Sequence, residues 1–330
     1  MSKKNILITG GAGFIGSHLV DALLSEDNYE LYCIDNFDPF YASSIKKQNL
    51  ENASDNPAFH LFQLDLSITS SEELLKIFSS VSFDAIIHLA ARAGVRPSIE
   101  QAKTYYDINV MGTLCLLEFA RQAGIPRFIF ASSSSVYGNN PNTPWKETDL
   151  LHQPISPYGA TKLAAEELGM VYAQLYGLQF IALRLFTVYG PRQRPDLAIH
   201  KFYNLINEQR PVILFGDGHT LRDYTYVSDI VSGILAALHY QSGESTVFNL
   251  GDNRQVSLLQ LVQTLESCMQ KKAIINWQEE QPGDVPQTFA DISKAGNLLN
   301  YHPGIMLEEG LQQFVDWKEK QELLVNPGGQ

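Results

Sequence analysis

Asn5-Ile6-Leu7-Ile8-Thr9-Gly10-Gly11-Ala12-Gly13-Phe14-Ile15-Gly16 is the stretch from which the fold is read. Residues 5–9 form a short apolar run of strand length, and Leu19, Val20, Leu23 and Leu24 then recur at helical spacing. Between them, glycines 10, 13 and 16 allow a tight turn, a close approach of backbone to a pyrophosphate, and packing of the helix on the strand. A helix that begins there turns free N–H groups and its positive dipole end toward phosphate. Gly10, Gly13, Phe14, Ile15 and Gly16 are therefore candidate dinucleotide contacts. A glycine motif alone is weak; strand, turn and helix in this order strengthen it.

The next apolar run, Leu31-Tyr32-Cys33-Ile34, ends at Asp35, about twenty residues beyond the glycines, where an acidic side chain can accept from a ribose diol. Asp35, with Asn36 after it, would also repel a 2′-phosphate, and the next basic residue is Lys46. NAD is favoured over NADP. A turn residue or helix cap would explain Asp35 but not its spacing. Residues 59–64 read as a third strand closing on Asp65 and Leu66, candidates for the adenine edge. Residues 70–80 read as a helix capped by Ser70 or Ser71. Residues 85–91 read as a fourth strand running into Ala90 and Ala91, small enough to lie against a cofactor. Strands alternating with helices predict an α/β fold: a Rossmann-type doubly wound parallel sheet with helices on both faces.

A helical pattern over 98–123 stops at Gly124 and Pro126. The strand 127–131 then delivers the serine run Ser132-Ser133-Ser134-Ser135 at its carboxyl end, where ligands bind in such sheets. A polar loop, 139–155, leads to Ser156-Pro157-Tyr158-Gly159-Ala160-Thr161-Lys162. Tyr158 and Lys162 stand one turn apart on one helix face. An ammonium there would favour the phenolate of a tyrosine that otherwise titrates near about 10. A serine hydroxyl could hold a substrate alcohol beside it. Taken alone, the pair is more plainly a half-buried tyrosine and a surface lysine; its neighbours argue otherwise. Leu163, Leu168, Val171 and Leu175 read as the helix's apolar side. The two long helices could pair with their copies in a homodimer, although burial within one chain explains them equally well.

The chain has 330 residues, 45% hydrophobic and 18% charged, the composition of a well-cored globular protein. No apolar run approaches the roughly 18 residues of a membrane span, and the start resembles no signal peptide. Three dispersed cysteines, Cys33, Cys115 and Cys268, suit a reducing cytoplasm and give no zinc or disulfide pattern. The eight histidines lack metal-ligand pairing, so no metal is expected. A formal charge of −12 disfavours nucleic acid and anionic membranes as partners. We read 1–178 as a dinucleotide-binding domain to which some later segments return, and 179–330 as mainly a smaller α/β substrate domain. Helices are expected near 198–208, 229–240, 257–269 and 308–321, and fraying over 326–330.

The glycines, Asp35, the Ser133 region and Tyr158-x-x-x-Lys162 together resemble the extended short-chain dehydrogenase/reductase family, and its nucleotide-sugar branch matches along nearly the whole chain. Gly216-Asp217-Gly218 with Arg222-Asp223-Tyr224 looks like that branch's pyrophosphate-binding segment. Residues 186–196 and Ala93-Gly94-Val95-Arg96-x-Ser98 are similar to those of UDP-glucuronate 4-epimerases. Galactose 4-epimerases usually carry Asn-Pro at Thr187-Val188. Sugar 4,6-dehydratases carry an acidic pair where Ser134 and Ser135 stand, and serines are poor at the acid and base work of that elimination.

The resemblance implies bound NAD and a UDP-sugar whose C4 is oxidised and re-reduced. Tyr158 would be the base, Lys162 would hold the nicotinamide ribose, and Ser133 would hold the reacting oxygen. It implies substrate contacts at Arg96, Ser134, Thr187, Arg192, Arg194, Arg222 and Asp284. Arg194 is the main candidate for a sugar carboxylate, with diphosphate binding or a solvated loop as its alternatives. Asp284 would touch the uridine ribose; Gln281 stands where many galactose epimerases have arginine. Other readings of the scaffold are an epimerase of UDP-glucose or UDP-N-acetylglucosamine, a UDP-glucuronate decarboxylase, and a non-catalytic NAD-binding homologue.

Overall fold

The computed structural model describes residues 3–151, 153–279 and 285–325; Gln281, Asp284 and the tail from Asn326 lie outside them. The chain opens with β1 (Lys4–Thr9), α1 (Phe14–Leu24) and β2 (Tyr29–Ile34), followed by α2 (Ser43–Asn49), α3 (Glu51–Ser54) and β3 (Phe59–Phe62). It continues through α4 (Ser71–Ile77), β4 (Ala85–His88), α5 (Val95–Glu100) and α6 (Ala102–Tyr106). A π-helical turn (Asp107–Met111) leads into α7 (Gly112–Ala123), β5 (Arg127–Ser133) and a 3-10 turn (Ser134–Tyr137). Next come α8 (Pro157–Tyr176), β6 (Gln179–Leu185), β7 (Thr187–Tyr189), α9 (Ala198–Asn207), β8 (Pro211–Phe215) and β9 (Leu221–Tyr226). The remainder is α10 (Val227–Leu238), β10 (Thr246–Leu250), β11 (Gln255–Ser257), α11 (Leu258–Met269), β12 (Ile274–Gln278), α12 (Ser293–Leu299) and α13 (Leu307–Val325).

Seven parallel strands form the central sheet in the order β10-β6-β5-β4-β1-β2-β3. The order reverses between β1 and β4, and a crevice opens at that switch point beyond the strands' carboxyl ends. Ile6 and Ile8 bury one face of β1 under α1 and α10, while Leu7 packs on the other face with Leu116, Leu117 and Phe119 of α7. Alternate residues of one strand thus serve two cores, as the doubly wound reading requires. The rest of the chain builds a three-stranded sheet (β11-β9-β7), a parallel pair (β12-β8) and their own core with α9, α11 and α13. Among the described residues no helix is long and apolar enough to cross a membrane.

Two helical expectations need correction. The pattern over 98–123 is not one helix: it begins at Val95, breaks at Gln101 and widens into the π turn before α7. The wide turn carries the buried Asn109, whose side chain binds Arg92 on the cleft loop and Thr161 on α8. On α8, the buried face includes Thr161, Lys162, Ala165, Glu166 and Gly169; of the expected apolar side, Leu163 and Leu168 pack against the core while partly buried. Val171 and Leu175 are exposed. A polar face can be the buried one here because it meets the strand ends of the crevice, where its polar groups find partners. Gly169 lets α8 close on β6, since a Cβ there would meet the Phe180 ring at 2.1 Å.

Candidate active site

One cleft of about 1130 Å³ runs over the carboxyl edge of the sheet, larger than the usual ~300–1,000 Å³ of a small-molecule pocket. Its floor at one end is the glycine turn. Gly10 has φ of 73°, and a Cβ on it would meet the Ala90 nitrogen at 2.7 Å. A Cβ on Gly16 would lie 2.2 Å from the Gly10 oxygen. The turn is thus closed to side chains, and Gly13 caps α1 without a side chain of its own. A diphosphate fits this cradle, with the first N–H groups of α1 as donors.

Asp35 lines the same end, 6% exposed, accepting from Ala12 N–H at 3.1 Å and Phe37 N–H at 2.8 Å. Lys46, which the sequence treats as too distant to matter, lies 3.8 Å from Asp35 and also lines the cleft. A cation therefore stands at the ribose corner, which weakens the charge argument against a 2′-phosphate. Asn36 donates to Asp65 at 3.1 Å. Burial raises the Asp65 pKa, but hydrogen bonds from Ser67 and Asn36 outweigh it and hold the carboxyl below its ordinary value. Phe14, Ile15, Leu66, Ala90 and Ala91 also line this end.

At the centre, three elements converge. Ser156 accepts from Gly159 N–H at 3.1 Å and Pro157 follows it, so α8 starts one residue before Tyr158. Ser133 ends β5, accepts from Ser135 N–H at 3.1 Å, and presents its hydroxyl to Tyr158. Lys162 Nζ donates to the Ala131 carbonyl at 2.7 Å and lies 4.8 Å over the Phe130 ring. Burial raises the Tyr158 phenol above its ordinary value, against the lowering effects of Ser133 and of the Arg194 charge. Burial also pushes Lys162 down to about 7, opposed by the charge of Glu166. Arg194 thus joins Lys162, the expected partner of the Tyr158 phenolate, as a cation on the cleft wall that favours the ionised phenol.

The arginines separate. Arg194 lines the cleft, grips Asp196 through Nε and Nη2 at 3.0 and 2.7 Å, reaches the Ala93 carbonyl at 3.3 Å and lies over Phe40. Arg192, also expected at the substrate, pairs instead with Asp21 of α1 at 2.7 Å and is absent from the cleft lining. Its backbone has a φ of 61°, and the residue turns its side chain onto the first helix. Arg96 lies 4.8 Å over Phe215, and Arg222 donates to the Leu221 carbonyl at 2.8 Å; both line the cleft. Ser134 lines a side recess of about 170 Å³ that shares Thr187 and Arg222 with the main cleft. Asp284 falls outside the described residues. Sequence reasoning missed Lys46, Asn109 and the Asp38–Arg92 pair at 2.6 Å under Phe40. Asn109 and Thr113, polar residues one turn apart within an otherwise apolar pattern, were the available signal.

The family model described as GDP-mannose 4,6 dehydratase matches residues 7–314. The chain is an extended short-chain dehydrogenase/reductase. As a member of this family it is 42% identical over 321 residues to the UDP-glucuronate 4-epimerase of Thermodesulfobacterium geofontis, covering 96% of this chain and 97% of that one. The crystal structure of UDP-glucuronic acid 4-epimerase from Bacillus cereus, in complex with UDP-glucuronic acid and NAD, superposes with a TM-score of 0.90. It is 39% identical, with 96% of this chain and 99% of that chain covered. The UDP-glucose 4-epimerase of Thermotoga maritima with UDP-glucose gives 0.87 at 34% identity, covering 96% and 99%. This extended dehydrogenase/reductase therefore shares its scaffold with epimerases of both charged and neutral sugars.

Proposed function

We propose that the chain is an NAD-dependent epimerase that interconverts UDP-glucuronic acid and UDP-galacturonic acid at C4. The observation that carries this reading is the shared lining of one cleft: Tyr158, Ser133 and Lys162 stand there with Arg194, whose charge favours the Tyr158 phenolate. A guanidinium there can also meet a sugar carboxylate with a planar fork. The glycine cradle, Asp35 and the floor at Ala90 fit a dinucleotide diphosphate and ribose, and the relatives bound to NAD support that cofactor.

Bound NAD supplies a reversible two-electron acceptor for the sugar's C4. Tyr158 takes the proton from the 4-hydroxyl and later returns it, while Ser133 holds the same oxygen. Lys162 would hold the nicotinamide ribose through its ammonium. Ser134 and Thr187 would hold the C5 substituent, Arg96 and Arg222 the diphosphate, and Asp284 the uridine ribose. Serines at 134 and 135 stand where the acid and base of a water elimination would be, and they are poor at both tasks.

We divide the chain functionally at 178/179, with β6 and β10 returning to the dinucleotide-binding half. A homodimer through α7 and α8 would cover Met111, Val171, Leu175 and Tyr176, each about half exposed or more. The dispersed cysteines suit a cytoplasmic setting. An epimerase of neutral UDP-hexoses is the second reading, favoured by the fact that Asp196 already occupies the Arg194 fork. Incubation with UDP-glucuronate, UDP-glucose and UDP-N-acetylglucosamine, with product analysis, tests both. Uronate epimer supports the first, turnover of neutral sugars alone supports the second, pentose indicates a decarboxylase, and no product removes the enzyme reading.

A further inference from the structure

Three consecutive residues at the end of β5 each engage one residue of α8. Ser133 faces Tyr158, Ala131 accepts from Lys162, and Ser132 donates its hydroxyl to Glu166. Tyr158, Lys162 and Glu166 are successive turns of one helix face, so the third residue continues the row that carries the chemistry. Glu166 is 3% exposed and is gripped by Arg184 of β6 through Nε and Nη2 at 3.1 and 2.8 Å. The Tyr137 ring covers that guanidinium at 4.8 Å. A buried ion pair is a costly way to hold a strand to a helix, and apolar residues of similar volume often serve as well or better. Its placement one turn behind Lys162 gives it another use.

We propose that Glu166 is a positioning residue: anchored by Arg184 and Ser132 one helix turn behind Lys162, its carboxylate supports the charge of that lysine under the cleft and fixes the strand end that carries Ser133. The proposal rests on the reading of Tyr158 and Lys162 as the acid–base pair. The charges around Lys162 come from every side. Tyr158 and Glu166 share its helix, the neutral His88 faces it from β4, and Arg184 lies beyond Glu166 on β6, acting in turn on Lys294 of α12. Burial opposes the ammonium, and the Glu166 charge supports it. Arg184 offsets part of the Glu166 charge, so removing either partner should move Lys162 in opposite directions.

The test titrates Lys162 in the full chain by NMR of Cε-labelled lysines, assigned with Lys162→Met, beside the pH profile of turnover. Glu166→Gln should lower the Lys162 midpoint by about one pH unit and cost turnover at alkaline pH that returns on acidification. Arg184→Met should raise the midpoint. If Glu166→Gln does not fold, Glu166→Gln/Arg184→Met leaves no unpaired charge and should still titrate below wild type. Midpoints unmoved in both the Arg184 variant and the double variant would overturn the proposal. A moved midpoint in a chain that turns over no UDP-sugar supports it and sinks the epimerase reading instead. An unmoved midpoint in an active epimerase sinks the Glu166 assignment alone.

Discussion

Arg194 and Asp196, two residues apart on the loop before α9, are locked together through both arms of the guanidinium, at 3.0 and 2.7 Å. A sugar carboxylate that seeks this fork must share it with Asp196 or displace it. Asp196→Asn should therefore lower KM for UDP-glucuronate several-fold and leave KM for UDP-glucose unchanged. Arg194→Ala should weaken uronate turnover and release some pentose, because a 4-keto uronate left unheld can lose CO2. Steady-state kinetics with product analysis on both sugars reads these outcomes. Equal changes on both sugars would detach Arg194 from the carboxylate.

Tyr158→Phe removes the phenol oxygen and leaves the ring against Tyr105. The variant should retain nucleotide and lose turnover by about 10²-fold or more, the scale of lost acid–base catalysis. Nucleotide content after purification and turnover of UDP-glucuronate together check it; near-normal turnover removes Tyr158 from the proton path.

Lys162 is held down to about 7 by burial, against an ordinary value of 10.5. Between those values the unfolded chain binds the extra proton, so this group's contribution to stability rises with pH across that window. Below it, the folded chain bears the cost of a buried ammonium. Lys162→Met should then be more stable than wild type near pH 6, with the gap closing toward pH 10, while turnover is lost. Urea unfolding of the nucleotide-free chain across that range measures it. A gap that widens with pH reverses the assignment.

Gly16→Ala places a methyl 2.2 Å from the Gly10 oxygen and 2.8 Å from the Gly11 Cα. Both are backbone atoms, which yield less readily than a flexible side chain. The expected result is a loss of about 1–3 kcal/mol in stability together with the loss of retained NAD. Thermal unfolding and nucleotide content should change together.

Leu175→Glu puts a charge on the exposed patch of α8, where Leu175 is 64% exposed. If two copies meet through this face, light scattering should show the variant as a monomer of about half the wild-type mass with unchanged helical content. A wild-type chain that is itself monomeric excludes the assembly.

The parts legible in the sequence were those whose logic is local. Gly10, Gly13 and Gly16 announce a turn by spacing, and Ser156-Pro157 starts the helix that presents Tyr158 and Lys162. Side-chain direction was not legible. Arg192 and Arg194 are two apart on one loop, yet Arg192, whose backbone is left-handed, pairs with Asp21 and Arg194 with Asp196. Lys46 reaches Asp35 only because α2 folds back over the crevice, a tertiary event that counting basic residues along the chain does not register. The apolar side of α8 was legible in part for a related reason: Leu163 and Leu168 pack on the core, but Val171 and Leu175 are exposed and the cleft requires a buried face of Lys162 and Glu166.

The seventh strand of the sheet, Thr246–Leu250, lies against β6 although about sixty residues, from β7 through α10, are made between them. During synthesis the sheet therefore waits with an open flank until the ribosome has delivered that strand. A fragment ending at residue 178 or 190 would keep every glycine of the dinucleotide turn but expose an unsealed edge, a template for aggregation rather than a smaller working protein.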